Sequence, residues 1–372
     1  MKASSSMSTF FIGLALFSMF FGSGNLIFPL FVGQITQNQW TFATLGFVLT
    51  AVALPFMGVI AMVVYRGDYS AFFKCLGKSA GFLMTLILLT VWIPLGSGPR
   101  CATLAYASLS QHFPNAMPLW LFSIGYCLLV SLVIYKKHRM LDILGYVLTP
   151  LLLISLALVV FVGVDFAIPS GAMQPAEAIS LGLKEGYNTM DLIASFFFSA
   201  SIIDILRKSN PDETTLLKKA LKAAAIGVLL LALVYIGLIG LAAAQSENLI
   251  GVPKDRLFVY IAHLVLGPQL GIIAALCVFL ACFTTSIALV SVYADFLAKT
   301  FFGNANQYPI AIIFTQVATF GMSIFGLQGI TFITEPILQV FYPFLLVLIV
   351  INVGRQLILQ KYKKAESVPQ ES

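Results

Sequence analysis

The sequence predicts an all-α integral membrane protein with about ten transmembrane helices. Of its 372 residues, 59% are hydrophobic and only 10% are charged, whereas soluble domains carry about 25% charged residues. The apolar residues occur in runs of about 20 or more, long enough to cross a hydrocarbon core of ~30 Å as helices. Helices are expected because lipid offers no partners for free backbone groups. The short alternating segments of a membrane β-barrel do not occur in the sequence.

Ten hydrophobic spans can be placed along a single transmembrane domain. They cover residues 9–33, 40–65, 79–111, 117–135, 140–164, 177–204, 219–244, 269–294, 308–326 and 331–353. We expect a first repeat of five spans at about 8–165, a second at about 175–353, and a polar tail at 354–372. The loop 245–268 contains an amphipathic stretch, DRLFVYIAHLVLG, that is too short to span and is expected to lie over the outer face.

The distribution of basic residues predicts the orientation of the spans. Seventeen of the 21 Lys and Arg residues fall on one side, three fall on the other, and Arg100 lies within a span. By the positive-inside rule both termini are expected in the cytoplasm, for a multi-pass protein of the bacterial inner membrane. This pattern accounts for the net charge of +6 without a nucleic-acid partner. The apolar run at the N-terminus continues to Val32, beyond the ~7–15 residues of a signal peptide.

Two spans contain residues that interrupt a membrane helix. The first span has Gly22, Ser23, Gly24 and Asn25 near its middle, where glycine lowers helix stability. The sixth span has a similar interruption over residues 186–189, with the sequence GYNT. Interrupted helices that open each of two five-span sets indicate an inverted-repeat transporter with its site at the breaks. Small residues that simply permit close helix packing are the alternative.

The residues at these breaks suit a zwitterion and a cation. A half-helix that begins near Asn25 offers N–H groups to a carboxylate, and unwound carbonyls near Phe21 and residues 186–188 suit a sodium ion or an α-ammonium group. In the eighth span, Thr284 and Thr285 lie near mid-depth, where their hydroxyls and the Ala281 carbonyl provide the oxygen ligands of a hard cation. Alternatively, each hydroxyl bonds back to its own helix.

Four segments give a resemblance to a known family. FGSGNLIFP, PLGSGPRCAT, EGYNTMDLIASFFF and ACFTTSIAL, in this order and spacing, resemble the bacterial branched-chain amino acid carriers, the LIVCS cation-symporter family. The resemblance covers essentially the whole chain. It implies a five-plus-five inverted repeat of the LeuT type, and cation-driven uptake of leucine, isoleucine and valine. It implies no cofactor beyond the coupling ion, sodium or a proton, and no obligatory protein partner.

The resemblance also implies binding residues, and this chain departs from the family in places. The implied substrate residues are Gly22, Ser23, Gly24, Asn25, Tyr187, Asn188 and Thr189. The implied sodium ligands are oxygens of Ser18, Phe21, Ala281, Thr284 and Thr285. Family members usually have about twelve spans rather than ten. They often carry a carboxylate where this chain has Ala107, so the partner of Arg100 is left open.

Three ionisable residues are expected within the membrane, where charges are costly and usually functional. Arg100 and Glu335 both belong near the outer side, and we hypothesise that they form an extracellular gate pair; independent contact with outer water is the alternative. Asp191 is predicted to cap the second half of the broken sixth helix, with a proton or cation site as the sharper alternative.

Other functions find little support in the sequence. The five cysteines form no CxxC pair and the three histidines stand apart, so neither a metal cluster nor an enzyme site is expected. A channel is less consistent with paired breaks than a carrier is. Residues 196–198, three phenylalanines, are expected to line a pocket that favours an apolar solute. Another neutral amino acid or a nucleobase is the runner-up substrate.

Overall fold

The computed structural model describes residues 8–110, 117–135, 149–163, 168–209, 212–303 and 307–366, and within them the chain is helical. Ten helical spans follow the predicted order. They are Thr9–Phe20 with Ser23–Thr36; Trp40–Val48 with Leu54–Val64; Lys78–Trp92 with Gly98–Ser110; Leu119–Ile134; Thr149–Gly163; Pro175–Asn188 with Asp191–Ser209; Glu213–Ala244; Leu257–Thr300; Tyr308–Ser323; and Gly326–Glu366. The loop before the eighth span contains two 3-10 turns, Ser246–Leu249 and Lys254–Arg256.

The helices have the length and surface of a membrane bundle. Six are long and apolar enough to cross a bilayer by themselves, and four shorter apolar helices complete the set in the described part of the chain. Large hydrophobic side chains remain exposed on the outside, for example Phe161 at 85% and Phe332 at 83%. In water such exposure would be unfavourable. The all-α, multi-pass membrane architecture is therefore confirmed.

The packing of the spans shows the inverted repeat. The first span packs along the seventh, and the sixth span packs in the same way along the second. The third and eighth spans pack against each other, and so do the fourth and ninth. The fifth span contacts the eighth as the tenth contacts the third. The same set of contacts results when each span is replaced by the span five places away in the chain, for example the first by the sixth and the second by the seventh. This is the five-plus-five relation expected from the sequence.

Three spans contain local departures from α-helix besides the two breaks. The second and third spans each contain a π-helical turn, Leu49–Ala53 and Ile93–Ser97, and such turns are frequent at functional sites. The eighth span runs from Leu257 and kinks at Gly267, which has a φ of 77°. The amphipathic stretch predicted for the loop 245–268 therefore forms a helix that runs into the eighth span.

Glycines hold the sixth span close to the second. A Cβ on Gly182 would lie 2.0 Å from the Ala43 carbonyl oxygen, and one on Gly46 would lie 2.3 Å from that of Ile179. The atoms in the way belong to backbone, which cannot move aside as a flexible side chain can. Close helix approach of this kind is how membrane helices gain packing energy without a hydrophobic driving force.

We expect Gly182→Ala to destabilise the fold, since overpacking in a tight core costs about 1–3 kcal/mol. Thermal unfolding in detergent measures this as a lower midpoint. The control is Gly125→Ala on the fourth span, where an added Cβ meets no atom within 4 Å. An unchanged midpoint for Gly182→Ala would contradict the close contact of the two spans.

Candidate functional site

The first break is an extended segment that ends one half-helix and opens another. The first half ends at Phe20, and Gly22 has extended backbone angles before the second half begins at Ser23. Asn25, in the first turn of that second half, accepts the Gly22 N–H through its Oδ1 at 3.2 Å. The N–H groups of the first turn have no acceptor within the helix. The break therefore presents free donors and a positive helix end, as the sequence predicts.

The second break overlaps the predicted interruption, residues 186–189, only at its last residue, Thr189. Residues 186–188 belong to the helix Pro175–Asn188, and the chain turns at Thr189 and Met190 before Asp191 starts the second half. Gly186 is a packing residue, because an added Cβ would lie 2.0 Å from Thr50 Oγ1. Met190 has a φ of 66°, a conformation that costs a non-glycine residue energy and often marks a functional site. The predicted unwinding over residues 186–188 is therefore corrected to Thr189 and Met190.

The two breaks meet in the interior of the bundle. A Cβ on Gly24 would lie 3.3 Å from both the Cα and the carbonyl oxygen of Thr189. Asn25 Nδ2 donates to Asp191 Oδ2 at 2.8 Å and also donates to the Tyr235 hydroxyl. Tyr235 in turn donates to Asp191 Oδ2 at 2.7 Å. The start of the second half-helix in each repeat is thus linked through one carboxylate oxygen.

Asp191 differs from the cap that the sequence predicts. It is the first residue of its half-helix, but its carboxylate takes the side chains of Asn25 and Tyr235 rather than an N–H of its own helix. The position at a helix N-terminus still favours the negative charge. Tyr235 on the seventh span was not predicted, because a single tyrosine in a long apolar helix gives no local signal.

A small cavity of about 20 Å³ lies at the meeting point of the breaks. Its polar side is formed by both breaks together with residues of the third and eighth spans: Gly22, Ser23, Gly24, Asn25, Thr189, Asp191, Ser97, Cys101 and Thr285. Its apolar side is formed by Met19, Phe20, Trp92, Ala194, Phe198 and Leu289. One end of a ligand would therefore meet charge and hydrogen-bonding groups, and the other would meet hydrocarbon and aromatic rings.

Of the three phenylalanines at 196–198, only Phe198 lines this cavity. Its ring meets Phe20 edge-on at 5.6 Å and Trp92 at 5.2 Å between centroids. Phe196 packs on Phe72 instead, because consecutive helix positions face different directions. The expectation that all three line a pocket is corrected to Phe198 alone.

The five residues predicted to hold a cation come together beside the cavity. Thr285 Oγ1 donates to the carbonyl oxygens of Phe21 at 3.0 Å and Ser18 at 3.3 Å. Thr284 Oγ1 lies 3.0 Å from the Ala281 oxygen and 3.4 Å from that of Ser18. Thr284 donates back to Ala281 of its own helix, as the alternative expects, whereas the hydrogen bonds of Thr285 go to the first span. Five oxygens from the first and eighth spans form one buried cluster.

Tyr187 and Asn188 lie outside the cavity lining, in the last turn before the break. The Tyr187 ring contacts that of Tyr342 at 5.3 Å. Asn188 donates to Glu185 Oε2 at 3.0 Å, and its carbonyl accepts from Arg100 Nη1 at 3.4 Å. Of the three residues that the resemblance places on this wall, the cavity is therefore lined by Thr189.

A chain of polar contacts extends from Asn188 to the loop before the eighth span. Lys254 Nζ lies 3.4 Å from Glu185 Oε1 and 3.5 Å from the centre of the Phe31 ring. Arg100, which is buried, donates through Nη2 to Thr334 Oγ1 at 3.1 Å, and its Nε has no partner. Four spans and the loop are therefore joined at this end of the bundle.

Glu335 follows Thr334 on the tenth span but does not pair with Arg100 here. Its Oε1 accepts from Gln339 at 3.3 Å. The ion pair that the described residues form at this end is that of Lys254 with Glu185. Glu185 opens the EGYNTMDLIASFFF segment, but Lys254 lies in a loop outside the four segments, so nothing in the sequence predicts that the two residues pair.

These features define the class of protein. A bundle of two inverted five-span repeats, with a helix broken in each and a cavity between the breaks, is a membrane transporter of the LeuT type. A family described as branched-chain amino acid transport protein matches residues 5–368, and the chain belongs to that family. Its members are transporters and not enzymes, which confirms the expectation from the sequence.

Individual relatives and solved structures agree with this assignment. The chain is 30% identical to the branched-chain amino acid permease BrnQ of Haemophilus influenzae over 93% of this chain and 81% of the relative. It is 29% identical to the permease BraB of Bacillus subtilis, over 92% and 79%. The fold is similar to that of MhsT in complex with L-phenylalanine (TM-score 0.62, 14% identity, 88% of this chain and 82% of that one). It is also similar to closed Mhp1, a nucleobase-cation-symport-1 transporter (0.60, 16%, 86% and 72%).

Proposed function

We propose that this protein carries branched-chain or similar apolar amino acids into the cell, coupled to a cation and by alternating access. The observation that carries the proposal is the division of the cavity between a helix N-terminus and an apolar wall. The first turn that starts at Ser23 offers N–H donors and a positive dipole end to an α-carboxylate. Phe20, Trp92, Phe198 and Leu289 suit a side chain without charge, because a charged group there would remain unpaired.

Sodium is the coupling ion that the oxygen cluster favours. The cluster holds three carbonyl and two hydroxyl oxygens and no carboxylate, and hard cations take oxygen ligands. A cation of calcium's size holds its ligands at about 2.4 Å, so two ligands at right angles lie about 3.4 Å apart. Na⁺ has nearly the same radius, and the hydroxyl and carbonyl oxygens that are hydrogen-bonded to each other in the cluster lie 3.0 to 3.4 Å apart. A proton remains the alternative coupling ion.

The proposed coupling between the ion and the substrate follows from the two spans, the first and the eighth, that a bound ion would contact together. Ser18 and Phe21 belong to the end of the first half-helix and to the break itself, while Thr284 and Thr285 belong to the eighth span. A bound ion would hold the broken helix against the eighth span and so fix the break in the shape that receives substrate. The ion and the amino acid then each favour binding of the other by the same factor.

For the orientation, we propose that the end with Lys254 and Glu185 faces outward and that both termini lie in the cytoplasm of an inner membrane. Arg66 and Arg207 lie together at the opposite end, where Arg207 Nη2 donates to the Arg66 carbonyl at 2.7 Å. The excess of basic residues on that side of the spans supports this assignment. The contacts of Arg100 with Asn188 and Thr334 would then belong to an outward closure.

The function is tested by counterflow in proteoliposomes with a panel of solutes. Labelled leucine uptake is expected to be competed by isoleucine and valine, and not by nucleobases or charged amino acids. An inward sodium gradient is expected to raise uptake above that in choline. Competition by nucleobases would favour the runner-up substrate, and equal uptake in choline at fixed pH would contradict sodium coupling.

Thr285→Val is expected to raise the half-saturating sodium concentration for leucine uptake about 10- to 100-fold. The change removes one ion ligand and keeps the shape, and an interaction with a charge is worth about 1.5–3 kcal/mol. The matched control is Thr315→Val on the ninth span, since Thr315 is buried but bonds back to Ala311 of its own helix. The same sodium dependence in both variants would exclude the cluster as the sodium site.

The proposed gate pair of Arg100 and Glu335 is tested by a double-mutant cycle of transport rates. If the two residues pair in another conformation of the cycle, Arg100→Gln and Glu335→Gln each slow transport and the double variant is no slower than the worse single one. Independent effects that multiply would show that Arg100 acts only through Asn188 and Thr334.

A further inference from the structure

Asp191 brings a carboxylate into the cavity. Oδ2 takes the donors of Asn25 and Tyr235. The Thr189 hydroxyl also lies within hydrogen-bonding reach of the carboxyl group, although it donates to the Gly186 carbonyl at 2.8 Å. Asp191 is 2% exposed and lines the cavity. An ionised carboxylate accepts through both oxygens, with about four lone-pair sites, so these contacts leave it able to accept from a group in the cavity.

No basic side chain balances this charge. Within the described ranges Asp191 forms no ion pair, and the contacts of the neighbouring Arg100 go to Asn188 and Thr334. The dipole of the half-helix that begins at Asp191 and the hydrogen bonds from Asn25 and Tyr235 stabilise the carboxylate but do not neutralise it. A carboxylate within a membrane bundle is costly unless a cation is paired with it, so such a residue is expected to have a function.

The first break provides a positive helix end, opposite in sign to the Asp191 carboxylate. The first turn from Ser23 to Asn25 presents N–H groups and a positive helix end to the same cavity. A zwitterion has one group for each: its carboxylate suits the N–H groups, and its ammonium suits Asp191. The five-oxygen cation cluster contains no atom of Asp191, so the coupling ion and the ammonium group do not compete for it.

We infer that Asp191 Oδ1 binds the α-ammonium group of the transported amino acid, while Asn25 and Tyr235 position the carboxylate through Oδ2. This inference rests on the proposed function and adds to it the residue that selects amino acids over carboxylic acids without an amine. It replaces the capping and coupling roles expected for Asp191. The ammonium supplies the positive charge that the bundle lacks at this point.

The test is ligand-induced thermal stabilisation of purified protein in detergent with sodium. Leucine and 4-methylpentanoate, which is leucine without its amino group, are compared on wild type and on Asp191→Asn. Binding to the folded state stabilises the protein by RT ln(1 + c/Kd), where c is the free ligand concentration, so at a fixed ligand concentration the shift in midpoint falls as the affinity falls. Asp204→Asn makes the same change at an exposed position of the same half-helix and serves as the matched control.

Asp191→Asn is expected to weaken leucine binding on the order of 10- to 100-fold, the loss typical of a charge-assisted hydrogen bond. The affinity of Asp191→Asn for 4-methylpentanoate is expected to equal that of wild type or to be higher. This ligand has no ammonium group to pair with the Asp191 carboxylate, so loss of that carboxylate does not weaken its binding. Stabilisation by 4-methylpentanoate also shows that the variant is folded. Asp204→Asn is expected to bind leucine as wild type does.

Two results would overturn the inference. Leucine binding by Asp191→Asn within about threefold of wild type would exclude an ammonium contact. Equal weakening of leucine and 4-methylpentanoate would show that Asp191 acts on the cavity shape or on the ion instead. If wild type itself is stabilised by neither compound, the proposed substrate class fails first, and this inference fails with it.

Discussion

The structure depends on the positions of the backbone N–H and C=O groups that have no hydrogen-bonding partner within a helix. In lipid such groups are tolerated only where protein, a cavity or a ligand satisfies them. Among the described residues, two such interruptions lie at Phe21 and Gly22 and at Thr189 and Met190, and the fold brings the two together. Phe21, Thr189 and Met190 are buried in the bundle, so lipid does not reach them. Every other element of the site is placed relative to these two interruptions.

The first break could be predicted from the sequence because its signal is local. Consecutive small residues before Asn25 weaken a helix. Thr284 and Thr285 likewise mark possible cation ligands by lying side by side, whereas their meeting with Ser18 on the first span was implied by the family resemblance. The inverted repeat follows from counting spans between interruptions.

The remaining parts of the site could not be predicted because they depend on contacts between distant spans. Gly186 resembles a helix breaker in sequence, but its use is to admit Thr50 of the second span. The link from Asn25 through Tyr235 to Asp191 joins residues of the first, seventh and sixth spans. Family resemblance assigned Tyr187 and Asn188 to the substrate, whereas their side chains face Tyr342 and Glu185.

The kink at Gly267 divides the eighth span into two parts with different attachments. Lys254, just before this helix, is tied to Glu185, and Thr285, beyond the kink, is tied to Phe21. Gly267 has a positive φ of 77°, and no atom lies within 4 Å of the place that a Cβ would take there. The segment before Gly267 can therefore tilt relative to the rest of the eighth span. A movement of the loop away from Glu185 is therefore not transmitted down the eighth span as by a rigid rod. It reaches the interior through the sixth span instead, where Glu185 lies about one turn before the second break, which begins at Thr189.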